Sequence, residues 1–245
     1  MTVVRLLSYN IRALRDDAGA VARVIRAAGP DVVCIQEAPR FLRWRSRCAA
    51  LARRSGLVIV GGGRPAGSNL LLSTLAVTVE STADILFSKD PRLHQRGTAI
   101  ASLRLGTARF AVAGIHLDLR EGPRLRHVRE LHDAIDRHVA ADVPSVVAGD
   151  VNDRPGSLVW TALVRCGTDA HLAAGAGGAA MGTGPYVVAD GGDEGFTYSA
   201  INPVRRIDGV FVDPRVAVRS SEVLDSDDVR LASDHRPLLV ELDVE

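Results

Sequence analysis

Lysine is almost absent from this 245-residue chain: Lys89 is the only one, and the remaining positive charge is arginine. Arginine suits bidentate contact with phosphate, but the Arg, Ala, Val and Gly richness as a whole reads as compositional bias. Phe, Trp and Tyr total 4%, so few side chains could serve as wedges or stacking platforms for bases. Net charge is +1 and the pI about 7.8. No global basic field exists to attract nucleic acid, so any polyanion must be met by a local patch. The three cysteines, Cys34, Cys48 and Cys166, are odd in number and widely spaced. Without metal-ligand or redox spacing, they read as small core residues of a reduced compartment. No apolar run of about 18 residues and no signal-type leader is present. These absences predict a cytoplasmic, monomeric protein with no stable membrane anchor. No repeat of fixed period and no G-x-S-x-G occurs.

What is present is an alternation of strand and helix patterns in a chain that is 47% hydrophobic. The length suits a single domain over residues 1–245. Val3–Tyr9 reads as a strand ending at Asn10. Ala18, Val21, Ala22, Val24, Ile25 and Ala28 recur at helical spacing, and Gly29-Pro30 stops that helix. Asp31–Gln36 is a second strand with Glu37 at its end, and Phe41, Trp44, Cys48 and Leu51 mark one face of a helix. Leu57–Val60 is a strand. Five more, Asn69–Ser73, Thr74–Glu80, Ile85–Phe87, Thr98–Leu105 and Arg109–Ile115, follow in close succession, which predicts antiparallel pairing. After His116, Leu125, Val128, Leu131, Ile135 and Val139 form a helical stripe. A short helix is expected around Leu158–Leu163, a long loop over Gly175–Gly195, and strands at Arg206–Val212, Val216–Val223 and Leu238–Leu242. The order gives two β-rich halves with helices between. The expected architecture is an α/β four-layer sandwich, two packed mixed β-sheets flanked by helices.

The densest stretch of chemistry is Val146–Pro155. Its apolar run ends in Gly149, followed by Asp150 and Asn152. A buried strand with such a lip is where open α/β sheets place ligands, although an Asx-rich turn explains the tetrapeptide alone equally well. Similar polar residues recur at or within the other strands: Asn10, Glu37, His116, Asp208, Asp234 and His235. Singly, each has a structural explanation. Asn10 could cap a turn, Glu37 could start a helix, His116 could be a satisfied core histidine and Asp234-His235 could form a turn before Pro237. Asp208 is harder to dismiss, because an acid between Ile207 and Val210 needs a partner. Together the residues require many independent structural explanations to hold at once.

The set Tyr9-Asn10, Gln36-Glu37, Gly114-Ile115-His116-Leu117, Gly149-Asp150-Val151-Asn152, Arg206-Ile207-Asp208 and Ser233-Asp234-His235-Arg236-Pro237 resembles the endonuclease/exonuclease/phosphatase superfamily. The resemblance runs through nearly the whole chain, in the family's order. It implies that Glu37 ligates a divalent metal, Mg²⁺ with Mn²⁺ as a substitute, with Asn10 close by and Asp234 in the outer shell or at a second cation. An oxygen-rich site retaining waters is what Mg²⁺ prefers. By the same resemblance Asp150 orients or deprotonates water, and Asn152 holds Asp150 or a phosphate oxygen. His235 donates to a phosphate oxygen, Asp208 fixes and charges that imidazole, and His116 contacts the phosphate or helps the leaving oxygen. Asn69–Ser73 resembles a family strand, and Arg126 resembles an Arg that opens the following helix, so both Asn69 and Arg126 become candidate substrate contacts. Arg129 departs from the family pattern, as does the Ala38-Pro39-Arg40 that follows Glu37.

The expected function is metal-dependent phosphoester hydrolysis, with a nuclease-type phosphodiesterase on DNA or RNA favoured. A phosphatase or phosphodiesterase on a small molecule or lipid headgroup, such as an inositol phosphate or a sphingomyelin-like ester, is the runner-up. A non-catalytic binding module on the same fold would be expected to have lost Glu37, Asp150 or His235, and none is lost. A serine hydrolase built on Ser233-Asp234-His235 fails, since three consecutive residues cannot align nucleophile, base and orienter.

Overall fold

The computed structural model describes residues 1–165, 167–177, 187–188 and 195–245. Its strands are β1 (Thr2–Asn10), β2 (Val32–Gln36), β3 (Val58–Gly63), β4 (Asn69–Ser73), β5 (Val77–Leu86), β6 (Gly97–Leu105), β7 (Ala108–His116), β8 (Ser145–Asp150), β9 (Thr168–Asp169), β10 (Val187–Val188), β11 (Asp208–Val212), β12 (Ala217–Asp225) and β13 (Leu238–Val244). Its helices are α1 (Ala18–Ala28), α2 (Trp44–Ser55), α3 (Glu121–His138), α4 (Leu158–Val164), α5 (Ala170–Gly177) and α6 (Asp227–Ala232).

A seven-stranded sheet runs β10-β12-β13-β1-β2-β4-β3, and a six-stranded sheet runs β5-β6-β7-β8-β11-β9. Both are mixed, because β1–β2 and β7–β8 are parallel while the remaining pairs are antiparallel. Alternation along each strand sends successive side chains to opposite faces, and three apolar layers result. Val4, Leu6, Cys34 and Leu71 meet Ala101, Val112, Val146 and Val210 between the sheets. Leu7, Tyr9, Val33 and Ile35 face Val21, Ile25, Leu51 and Val229 of α1, α2 and α6. Ile115, Val147 and Phe211 face Val128, Leu131, Val159 and Trp160 of α3 and α4. That is the expected four-layer sandwich of helices, sheet, sheet and helices. Among the described residues no helix is long and apolar enough to cross a membrane.

Several local expectations change. The helix face predicted to begin at Phe41 starts instead at Trp44. Arg43 has a left-handed φ of 59°, which no right-handed helix continues through, and Phe41 is left 72% exposed. The two strands expected over 74–87 are one, β5, because a bulge at Val79/Ser81 lets its ladder with β6 run on through polar residues. The helix expected to open at Arg126 begins five residues earlier, at Glu121. A helix not expected from sequence, α6, is capped by Ser226, whose side chain accepts from the Val229 N–H. The sheets also do not follow the chain halves: β12 and β13 return to extend the first sheet beside β1. In the segment expected as a loop over Gly175–Gly195, Gly175–Gly177 complete α5 and Val187–Val188 form β10. Residues 178–186 and 189–194 lie outside the described residues, as does Cys166. Cys34 and Cys48 are buried free thiols.

Candidate active site

Strand register does most of the assembly. In the parallel pair β7–β8, His116 stands beside Asp150. In the antiparallel pair β8–β11, Asp150 stands beside Asp208. In the other sheet Asn10 ends β1 opposite Gln36, one residue before Glu37. Packing the two sheets face to face therefore brings four strand ends to one rim. Gly149 lets two of them approach: a Cβ there would fall 1.9 Å from the Ile115 carbonyl oxygen. Gly149→Ala is expected to destabilise the fold by roughly 3 kcal/mol, the upper end of overpacking costs. Thermal unfolding followed by circular dichroism would then show a Tm drop of about 8 °C.

At the rim, Asp150 is 1% exposed and nearly surrounded. Asn10 Nδ2 donates to its Oδ2 at 2.9 Å, and the Asn152 N–H donates to its Oδ1 at 2.9 Å. His116 Nε2 lies 3.4 Å from Oδ2 and His235 Nε2 3.7 Å. His235 Nδ1 meets Asp208 Oδ2 at 2.9 Å. The backbone holding this pair is itself pinned. Ser233 Oγ donates to the Asn10 carbonyl at 2.7 Å and accepts from the His235 N–H at 3.2 Å. Thr197 Oγ1 accepts from the N–H groups of Ile207 and Asp208. The Tyr198 ring packs edge-on against His235, centroids 5.0 Å apart.

Burial and charge set the protonation states. Burial raises the Asp150 carboxyl, and nearby Asp208 adds to the rise, to about 6 despite the opposing pull of His235. Burial by itself would depress His235, but Asp208 and then Asp150 outweigh it and lift the imidazole to about 10. His116 goes the other way: burial holds it well below its ordinary value, and Arg96 and cationic His235 push it lower still. Around neutrality the rim thus carries an ionised Asp150, a cationic His235 and a neutral His116.

Other predicted residues are placed differently. Asn152 holds Asp150 through its backbone, with a left-handed φ of 53°, while its side-chain Nδ2 donates to the Leu117 carbonyl. Glu37, also left-handed at 52°, is half-buried. Its carboxylate makes no hydrogen bond or ion pair with any described residue. The Asp234 carboxylate accepts from Ser233 Oγ at 3.5 Å and lies 3.4 Å from Arg12 Nε. Asn69 is fully buried; its Nδ2 donates to the carbonyls of Ala66 and Gly97, pinning β4 to the start of β6. Arg126 is bound to Ser88 Oγ and Asp90, each at 2.7 Å.

Sequence reasoning missed two buried charges that are electrostatically coupled to each other. Asp118 is 3% exposed and Arg96 is 8% exposed, with no hydrogen-bond partner for its Nε. Burial lowers the Arg96 guanidinium, while Asp150, Asp118 and Glu37 act against that lowering. A buried guanidinium with an Nε–H that no described group accepts is suited to donating to an incoming anion. The only sequence signal was a charge immediately before a strand, in Gln95-Arg96-Gly97.

The donor chemistry also suits a hard cation. Glu37, which follows the Gln36 paired with Asn10, carries a carboxylate that no described residue binds, whereas His235 Nδ1 is already taken by Asp208. The ligating atoms of Asp150, Asp208 and His235 do lie within 4.8 Å of one another. A metal bound by all three would need His235 to surrender the proton that Asp208 and Asp150 stabilise.

A sequence profile described as the Endonuclease/Exonuclease/phosphatase family matches residues 7–235. No curated protein matches the chain in sequence. Among solved structures, an endonuclease/exonuclease/phosphatase from Bacteroides vulgatus superposes with a TM-score of 0.79 at 21% identity, covering 100% of both chains. A Bacteroides thetaiotaomicron mannosyl-6-phosphatase gives 0.73 at 16%, over 98% of this chain and 99% of the other. D. rerio TDP2 complexed with single-strand DNA product gives 0.71 at 15%, over 100% of both.

Proposed function

The chain belongs to the endonuclease/exonuclease/phosphatase family, whose members are divalent-metal-dependent phosphoester hydrolases, and from that premise we propose that it is a Mg²⁺-dependent phosphodiesterase acting on nucleic acid. The observation that carries this reading is the contact of Asp150 with Asn10, His116 and His235 on one rim, with Asp208 behind His235. The relative complexed with single-strand DNA product supports a strand as substrate.

The ion would be held by Glu37 with Asn10 nearby, and when bound it supplies positive charge to the phosphoryl oxygens. Asp150, raised to about 6, is a base matched to neutral pH. It accepts a proton from water as the water oxygen bonds to phosphorus. The ester P–O bond breaks, and the leaving oxygen takes a proton from solvent. His235, cationic through Asp208, donates a hydrogen bond to a non-bridging oxygen and offsets its growing charge. His116, held neutral, lies against Asp150 with its Nε2 3.4 Å from Oδ2. Arg96 supplies a second fixed charge to the phosphate.

The test is a substrate panel with Mg²⁺ against chelator: single-stranded and duplex DNA, RNA, mannose 6-phosphate, an inositol phosphate and sphingomyelin. The expected result is cleavage of a nucleic acid that chelator abolishes and Mg²⁺ restores, with kcat/KM lowered about 100-fold in Arg96→Met. Turnover of the sugar phosphate, inositol phosphate or sphingomyelin alone would replace this reading.

A further inference from the structure

A concavity of about 770 Å³ is lined by residues 40–44, 64, 67–68, 86, 89 and 93–95. Among the described residues its lining contains Arg40, Arg43, Arg64 and Lys89, and no carboxylate. In a chain of net charge +1, that is a strong local excess. None of the four forms an ion pair with a described residue. The nearest acid in sequence, Asp90, is bound to Arg126.

The same wall carries apolar surface that no described residue covers. Phe41 is 72% exposed and Leu42 88% exposed. The Arg40 guanidinium sits 5.2 Å from the Phe41 ring centroid. The Trp44 ring lies against Gly63, where a Cβ would come within 2.5 Å of it, so the indole is held in place at the cleft wall. Charge on the cleft wall is felt at the rim. Arg40 Nη2 reaches His94 Nδ1 at 3.3 Å, both residues act electrostatically on His116, and Gln95 on the cleft wall precedes Arg96.

We propose that this cleft is a second subsite, which binds a further nucleotide unit of the substrate: phosphate on Arg40, Arg43, Arg64 and Lys89, base against Phe41 and Trp44. The proposal rests on the nucleic-acid reading above. The combination of surfaces selects the ligand. A neutral sugar leaves four cations without an anion, and a zwitterionic headgroup brings a fifth cation among them. A bare polyphosphate leaves exposed Phe41 and Leu42 in water. A nucleotide presents a charged phosphate and a flat base together.

Equilibrium binding in chelator, which halts hydrolysis, tests this by fluorescence anisotropy with two labelled probes, a dinucleotide and a twelve-nucleotide single strand. Arg43→Ala/Lys89→Ala is expected to weaken binding at least tenfold and to reduce the salt slope of the strand by about 1.4. Phe41→Ala is expected to weaken it about tenfold through lost stacking. Arg53→Ala, on the α2 surface outside the cleft, serves as the control and should stay within twofold. If both probes respond, free nucleotides and strands are both served; if only the strand responds, the unit is part of a polymer. Affinities unmoved by the cleft substitutions, no binding of either probe, or Phe41-dependent binding to anionic lipid vesicles in place of nucleotides would overturn the proposal. Strand cleavage by the parent protein is read separately. Cleavage without cleft-dependent binding sinks the subsite alone, and cleft-dependent binding without cleavage of any nucleic acid sinks the activity.

Discussion

Asp150→Asn is expected to lower kcat by about 10³- to 10⁴-fold, the scale of a lost general base, with the fold retained. Asparagine has the same shape and keeps an oxygen for the Asn152 N–H, but it cannot take a proton from water. Stability should respond in a way that separates function from folding. The Asp150 carboxyl is raised from 3.8 to about 6 by burial and by Asp208, so the fold disfavours its ionised form. Parent stability therefore declines as pH rises through that window, and the asparagine variant lacks this decline. Facing Asn10 Nδ2 with an amide costs the variant a hydrogen bond, about 1 kcal/mol. In chelator the variant should be the less stable protein at pH 4 and should gain relative to the parent by pH 8. Urea titrations at the two pH values would measure this. A variant that is inactive because it is unfolded at pH 8 would contradict the assignment.

The second large effect is expected at His235. His235→Gln keeps a donor for Asp208 but removes the positive charge, and kcat should fall about 10³-fold with little change in KM. Here the linkage has the opposite origin. The imidazole is raised from 6.5 to about 10, as Asp208 and Asp150 overcome its burial. Its stabilising contribution is complete below 6.5 and is lost as pH rises through 10. The metal-free parent should lose stability across that interval, and His235→Gln should flatten the slope. His235→Ala should be worse than Gln at pH 8, by roughly 3–5 kcal/mol, because it leaves two buried carboxylates without a cation between them. If His235→Gln kept near-parental kcat, the cationic imidazole would have no part in the chemistry.

Much of this site was legible because its residues sit at the ends of strongly patterned strands. Asn10, His116, Asp150 and Asp208 each end or begin an apolar run, and β7–β8 and β8–β11 register then makes three of them neighbours. The four-layer order followed from alternating strands and striped helices. What sequence could not supply was long-range pairing. Nothing local says that β13 returns to lie beside β1, and that return carries His235 to Asn10. Arg96 was invisible for the same reason: before β6 is placed it is one arginine among many, and only its burial and the electrostatic pull of Asp150 and Asp118 distinguish it. Phe41 was misplaced on a helix face because periodicity ran on past the left-handed Arg43. The polar edge strand β5 was split because an exposed strand needs no apolar alternation.

The most direct measurement compares, on one gel, Mg²⁺-supported cleavage of an end-labelled single strand by the parent protein and by Asp150→Asn at pH 8, each with and without chelator. The account predicts cleavage by the metal-loaded parent only, with at least about 10³-fold less product from Asp150→Asn. Equal cleavage by the two proteins, or cleavage by the parent that survives chelation, would contradict it.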